Sequence, residues 1–354
     1  MSREFHEQQK IKITEKADEI VSALPNFAHK YFDSLKNKNM SEKTYLQYAY
    51  DIRCFFTWLK STAGFKEKNI YSLKASDIFD VLDIEDVNEY IKTLEYVKNG
   101  NQRKITSPAY KARKISSLKS FIKYYSKINE SKSNLADIID SPKIPNKEIV
   151  TVEKDDIKRL LNEIFNTQGL KEPYKTIREN TKYRDYAILV LLFTSGVRVS
   201  ELVSIDLKDI DQKNRTIVII RKGGNEAKIY YSSEFHTALT NYIPERNKLN
   251  KSGSEALFLS RQGERMSQRS VEKLIKKYAD CAGINKRTTP HSARRSFATN
   301  LYEQTGDIYL VSEALGHASI ETSARHYANQ SEKRKAQIAQ YASTILEEEW
   351  IKFI

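Results

Sequence analysis

The chain has 354 residues, with 59 Lys and Arg against 46 Asp and Glu and a formal net charge of +13. That length suffices for two domains with separate cores, and the cationic balance favours an anionic partner such as nucleic acid. Cys54 and Cys281 stand far apart among apolar or small residues, which speaks against a disulfide framework or a zinc site. The N-terminus mixes both charge signs without an apolar run, and no window reaches the roughly 18 apolar residues of a spanning helix, so a soluble, cytoplasmic protein without a membrane partner is expected.

In chain order, residues 1–24 are polar and helix-permissive and read as an N-terminal extension ending at Pro25. A helical domain is expected over 25–130. Ser41 is placed to cap a helix in which Tyr45, Tyr48, Ala49, Ile52, Phe55, Phe56 and Leu59 recur at helical spacing, a stripe that belongs to a core. An acid-rich helix is expected over 84–97, and another begins at Ser107-Pro108, a cap followed by proline at the first helical position. Between 101 and 129 the charged residues are Arg103, Lys104, Lys111, Arg113, Lys114, Lys119, Lys123 and Lys127, with no acid among them. A charge run is usually a solvated face. Here the missing acids, together with an apolar back made by Ala112, Ile115, Leu118 and Ile122, favour a DNA-facing helix in which Arg103, Lys104, Lys111, Arg113, Lys114, Lys119 and Lys123 make the contacts.

Residues 131–149 contain Ser141-Pro142 and Ile144-Pro145, the mark of a stiff, extended linker. Beyond it, an amphipathic helix is expected over 155–165 and a buried one over 186–193, leading into Ser195-Gly196. Residues 216–220 and 227–231, separated by 221–226, read as a β-hairpin, and helical periodicity then resumes. The fold class expected is mostly α with a small β-sheet. In PHSARRSFATNLYEQ, His291 and Arg294 are three apart on one helix face. Leu315-Gly316-His317 reads as a helix end with a glycine turn, and Tyr327 follows ten positions after His317. Two imidazoles, a guanidinium and a phenol can bind a phosphate, donate and accept its protons, and attack it, and none of them needs a metal.

These residues resemble the tyrosine recombinase (phage integrase) family, whose pattern is H-x-x-R, a later L-G-H and a nucleophilic tyrosine shortly after it. Upstream, Thr194, Ser195, Gly196, Val197, Arg198, Val199, Ser200, Glu201 and Leu202 look like the family's T-G-x-R-x-S-E-L box. Single pieces of such a pattern are weak; four in family order at family-like spacings are specific. The resemblance implies an N-terminal helical core-DNA-binding (SAM-like) domain over 25–130, an interdomain linker over 131–149, and an α+β DNA breaking-rejoining catalytic domain over 150–331. Residues 332–354 then form a C-terminal helix that could dock on a neighbouring protomer, with Ile338, Tyr341, Ile345 and Trp350 among its apolar positions.

The same resemblance implies a site-specific DNA recombinase of Xer-like plan, which cleaves and rejoins strands through a 3′-phosphotyrosyl bond without metal, cofactor or ATP. Tyr327 is the implied nucleophile, and Arg198 and Arg294 are implied as paired donors to the non-bridging phosphate oxygens. His291 would accept the phenolic proton or bridge to phosphate, and His317 would hydrogen-bond a phosphate oxygen. Glu201 would orient a neighbour. Lys222, matching the family's β-turn lysine, would protonate the leaving 5′-oxygen, with Lys228 as runner-up. The chain departs from the pattern twice: many members place the tyrosine nine after the L-G-H histidine, where His326 stands here, and Arg295 stands where a histidine often follows the H-x-x-R arginine. Arg295 is expected to be structural or a phosphate contact. The implied partners are a double-stranded recombination site, a second copy on that site, four copies in the synapse, and a second recombinase or accessory protein. Two other readings stay open: a type IB topoisomerase, and a DNA-binding accessory protein without strand exchange. Chromosome dimer resolution and movement of a mobile element fit equally.

Overall fold

A computed structural model describes residues 2–38, 40–62, 64–99, 102–145, 150–221, 224–250 and 253–316. The expectations placed on Lys222, His317, Tyr327 and the 332–354 helix lie outside the described residues. The chain divides into two compact units, Glu4–Lys147 and, with Met1–Arg3, Glu148–Ile354. The fold is mostly α with two small antiparallel sheets.

The first unit is built from α1 (Ser2–Ser22), α2 (Asn26–Asn37), α3 (Glu42–Leu59), α4 (Ser76–Phe79), α5 (Ile84–Thr93), α6 (Pro108–Lys127) and α7 (Leu135–Ile138). Ser41 caps α3 by accepting from the Thr44 amide at 3.3 Å. Ser107 does the same for α6 through Tyr110, with Pro108 in the first turn. The α3 stripe is buried as expected, apart from a half-buried Tyr48. It meets an aromatic centre in which Phe27 and Phe56 pack edge to face at 5.9 Å and Phe79 and Phe121 at 5.6 Å. Ala17, Ile20, Val21 and Leu24 are buried in that same core, so the end of the 1–24 segment packs with this unit.

The helix expected over 84–97 stops at Thr93. Its start is fixed by a capping box between Asp83 and Asp86. After Leu94 the chain becomes β1 (Tyr96–Asn99), which pairs antiparallel with β2 (Gln102–Ile105) in the register Tyr96↔Ile105, Val97↔Lys104, Lys98↔Arg103, Asn99↔Gln102. Arg103 and Lys104 therefore stand on a strand, ahead of the helix they were expected to join. The local reason is Gly100-Asn101 between two short segments that each hold aromatic or β-branched residues, a hairpin signal that outweighs helix propensity.

The second unit contains α8 (Lys154–Glu163), α9 (Tyr174–Ser195), α10 (Val199–Ser204), α11 (Ser233–Leu249), α12 (Gln268–Cys281), α13 (Pro290–Thr305) and α14 (Ile308–Leu315). Its sheet runs β3-β4-β5, from β3 (Ile210–Asp211), β4 (Thr216–Ile220) and β5 (Glu226–Tyr230), with Ile217 opposite Ile229. Residues 187–193 of α9 are all buried, and α11 and α13 pack against that helix. The expected hairpin is present, with the third strand β3 added along β4.

Candidate active site

The site begins where α9 ends. Gly196 takes φ +63°, and a β-carbon there would collide with the Phe297 ring, so glycine both closes the helix and lets α13 approach. Two residues on, Arg198 is the extended residue preceding α10, and Glu201 reaches back to it. One Glu201 oxygen accepts from the Arg198 amide and the other from Arg198 Nη1, each at 2.8 Å. Glu201 is buried, while 32% of the Arg198 side chain remains exposed. The carboxylate thus fixes the guanidinium from behind and leaves part of it facing solvent.

Thr289 starts α13 by accepting from the Ser292 amide at 3.1 Å, with Pro290 in the first turn. His291 on that turn is exposed, whereas Arg294, three residues along, is buried. Arg294 Nη1 donates to the Gly196 carbonyl and Nη2 to the Leu315 carbonyl, both at 2.6 Å. One buried guanidinium therefore ties together three sequence boxes: T-S-G-V-R, H-S-A-R and L-G. Arg295 is half-buried on the same helix. α14, started by Asp307 accepting from the Tyr309 and Leu310 amides, ends at Gly316 with φ +59°. The expected glycine turn is there. A β-carbon on Gly316 would lie 2.6 Å from Arg221 Cζ.

Arg221 was not singled out by the motifs. Immediately after β4, it donates from Nη1 to the Leu315 carbonyl at 2.5 Å and from Nη2 to the Ala314 carbonyl at 3.2 Å, and Nη1 is 4.0 Å from Glu201 Oε2. Burial pushes its guanidinium below the ordinary arginine value; the Glu201 carboxylate opposes that shift and the Arg198 charge adds to it. The sequence signal was slight, a second basic residue beside Lys222 at the end of an apolar strand. Lys222 follows Arg221 in the chain and His317 follows Gly316, so the clamp anchors the backbone from which both depart. Lys228 is exposed on β5 opposite Val218. Arg198 and Arg221 share the single Glu201 carboxylate, and Arg294 meets Arg221 at the Leu315 carbonyl, which leaves an excess of positive charge in a partly desolvated place that suits an oxyanion such as a phosphodiester.

In the first unit the basic candidates separate. Arg103 and Lys104 on β2 and Lys123 on α6 are exposed. Lys111 lies 3.7 Å from Glu95, and Lys119 donates to the Ile139 carbonyl at 2.7 Å. Lys114 is only 5% exposed, with its Nζ 3.2 Å from Asp51 Oδ1; Arg113 and Ser117 hold the other Asp51 oxygen. Lys114 thus points its ammonium inward. The acids missing from 101–129 are supplied by α3 and by Glu95, out of reach of any local count.

Among the described residues, no group of three or more His, Cys, Asp or Glu is placed to hold a metal ion, and no helix is long and apolar enough to cross a membrane. Residues 150–334 match the model of the Phage integrase family. Tyrosine recombinase XerC of Caldanaerobacter subterraneus subsp. tengcongensis is 33% identical over 313 residues, covering 86% of this chain and 83% of that protein. Tyrosine recombinase XerS of Streptococcus thermophilus is 30% identical over 349 residues, covering 91% and 97%. Of solved structures, the XerH site-specific recombinase bound to palindromic difH substrate, a post-cleavage complex, matches with a TM-score of 0.64 at 21% identity over 93% of each chain. The Tn1549 transposon integrase in complex with circular intermediate DNA matches with a TM-score of 0.59 at 20% identity over 86% of this chain and 95% of that one. Both show the shared fold. With a family model spanning residues 150–334 and relatives aligned along most of its length, the chain belongs to the phage integrase family of tyrosine recombinases, enzymes that cleave and rejoin DNA strands through a covalent phosphotyrosyl bond.

Proposed function

We propose that the chain is a cytoplasmic site-specific recombinase of the Xer type, acting on a double-stranded recombination site as a dimer and on two paired sites as a tetramer. The Tyr327 phenolate oxygen attacks the scissile phosphorus, the P–O5′ bond breaks, and its electron pair leaves on O5′ with a proton from Lys222. His291 takes the phenolic proton or bridges to phosphate, His317 hydrogen-bonds a phosphate oxygen, and Arg198 and Arg294 neutralise the non-bridging oxygens. Glu201 holds Arg198 for that task. The covalent phosphotyrosyl bond keeps the energy of the broken phosphodiester, so a second 5′-hydroxyl can reseal the strand without ATP.

The observation that carries this reading is the buried Arg294 guanidinium bonded to both the Gly196 and Leu315 carbonyls, because it brings the separate boxes to one point. Similarity to XerC and XerS along most of the chain favours recombination over topoisomerase-like relaxation. A second recombinase or an accessory protein fits the same scheme. The test uses a nicked duplex taken from DNA that the protein protects in its own genome, so that loss of a short 5′ end traps the intermediate. A protein–DNA adduct should form, survive EDTA, and be absent from Tyr327→Phe; an adduct that persists in the mutant overturns the assignment.

A further inference from the structure

We propose that the β1–β2 hairpin is a DNA-reading ribbon that enters the major groove of the recombination site, an inference that rests on reading the chain as a DNA recombinase. Among the described side chains, the hairpin is exposed on both faces. The register puts Tyr96 and Ile105 on one face, 51% and 75% exposed, and Val97 with Lys104 on the other, where Val97 is 41% exposed. A lone two-stranded hairpin without a hydrophobic face to bury is marginal in water, and exposed apolar side chains of this size call for a partner.

Charge says which partner. From 96 to 129 the sequence has no Asp or Glu, and the register sets Lys98 directly opposite Arg103. Arg103 and Lys104, both exposed on β2, give the ribbon a cationic surface that an anionic partner neutralises. The same charges repel a second copy of this hairpin. Size agrees: two strands lie about 4.8 Å apart, narrow enough with their side chains for the major groove, about 12 Å wide, which admits a two-stranded ribbon. The base is fixed, because Thr106 donates its amide to the Glu95 carbonyl at 2.9 Å and its hydroxyl to the Leu94 carbonyl at 2.6 Å. Within the groove, Arg103 pairs with guanine O6 and N7, Ile105 on the same face meets a thymine methyl, and Lys104 on the other face contacts phosphate.

The experiment uses the full chain and a duplex that the wild-type protein selects from a random-sequence pool. Dimethyl sulfate reports guanine N7 in the major groove and adenine N3 in the minor groove. Arg103→Ala should lose guanine N7 protection at one or two positions and weaken binding to the selected duplex about 5–150-fold. Lys104→Ala should weaken all duplexes alike and lower the salt slope by about 0.9. Unchanged footprints and slopes overturn the inference, as does loss of adenine N3 protection in place of guanine N7. Unaltered DNA binding with a lost dimer would assign the ribbon to a protein contact and also overturns it. Adduct formation separates the two readings: if the wild type forms its Tyr327 adduct and the ribbon variants are unaltered, only the ribbon proposal fails. If the wild type selects no duplex, both fail.

Discussion

Replacing Arg221 by alanine tests whether the clamp on the end of α14 serves catalysis or only cohesion. The substitution removes two charge-assisted hydrogen bonds, to the Leu315 and Ala314 carbonyls, and a 4.0 Å ion pair with Glu201. A hydrogen bond to a charged group is worth about 1.5–3 kcal/mol. The Leu315 oxygen keeps its bond from Arg294 and Glu201 keeps Arg198 at 2.8 Å, so the expected loss is nearer one such bond than two, about 2–4 kcal/mol. Against a typical stability of about 5–15 kcal/mol the unit stays folded, and at roughly 2–4 °C per kcal/mol its melting point falls by about 4–16 °C. The strand end preceding Lys222 and the turn preceding His317 then lose their common tether. Below the melting transition, single-turnover cleavage of a nicked duplex should slow about 10–100-fold, the equivalent of about 1.4–2.8 kcal/mol in the barrier, while the Kd for intact duplex changes little. Arg221→Lys should recover little of the rate, because an ammonium cannot fork onto two carbonyls. Wild-type cleavage in a protein whose melting point has dropped would show that the clamp is structural only. An unshifted melting point would refute the energetic reasoning itself.

Asp51→Ala leaves Lys114 buried without its counter-charge and should cost about 3–5 kcal/mol in urea denaturation, with much of it recovered by adding Lys114→Met; a loss below about 1 kcal/mol would mean that Lys114 escapes to solvent. Lys222→Ala should be slow on ordinary DNA and largely rescued when the leaving 5′-oxygen is replaced by sulfur, since a thiolate leaves unaided, whereas Arg198→Ala should not be rescued; rescue of Lys228→Ala instead moves the acid to β5. Truncation after Ile338 should preserve binding to a single site and abolish paired binding and strand exchange; normal synapses from the truncated protein would rule out exchange of the last helix between protomers.

What could be read from the chain alone follows from how local each signal is. Ser41 and Ser107 cap helices through residues three positions away, and the α3 stripe repeats within one helix, so both were legible. α9 was legible only in its apolar half. Its polar half, from Tyr174, looks solvated, yet Arg178 is buried in it, donating to the Glu163 carbonyl at 3.1 Å, and Asp185 midway along accepts from the Tyr278 hydroxyl at 2.8 Å across from α12. The 96–105 hairpin gives little signal in sequence, because each strand is four residues long and lacks the apolar alternation of a half-buried sheet. The motif boxes marked Arg198 and Arg294, but not that Arg294 would bond two carbonyls while Arg198 kept an open side. Arg221 and the inward turn of Lys114 depend on partners about 90 and 60 residues away, separations at which no periodicity operates.

The sharing of the Leu315 oxygen by two guanidiniums has a thermodynamic corollary. Arg221 and Arg294 are held close by a neutral acceptor, and Arg198 is nearby on Glu201, the buried carboxylate that both Arg198 and Arg221 approach among the described residues. Mutual repulsion is therefore built into this cluster, and on the proposed function a phosphodiester bound there would cancel part of it. Because the same guanidiniums join α10, α13 and α14, the free energy released on binding is spread through the fold, which a ligand stabilises by RT ln(1 + [L]/Kd). On that proposal, holding the scissile phosphate and stiffening the frame around it would be one equilibrium.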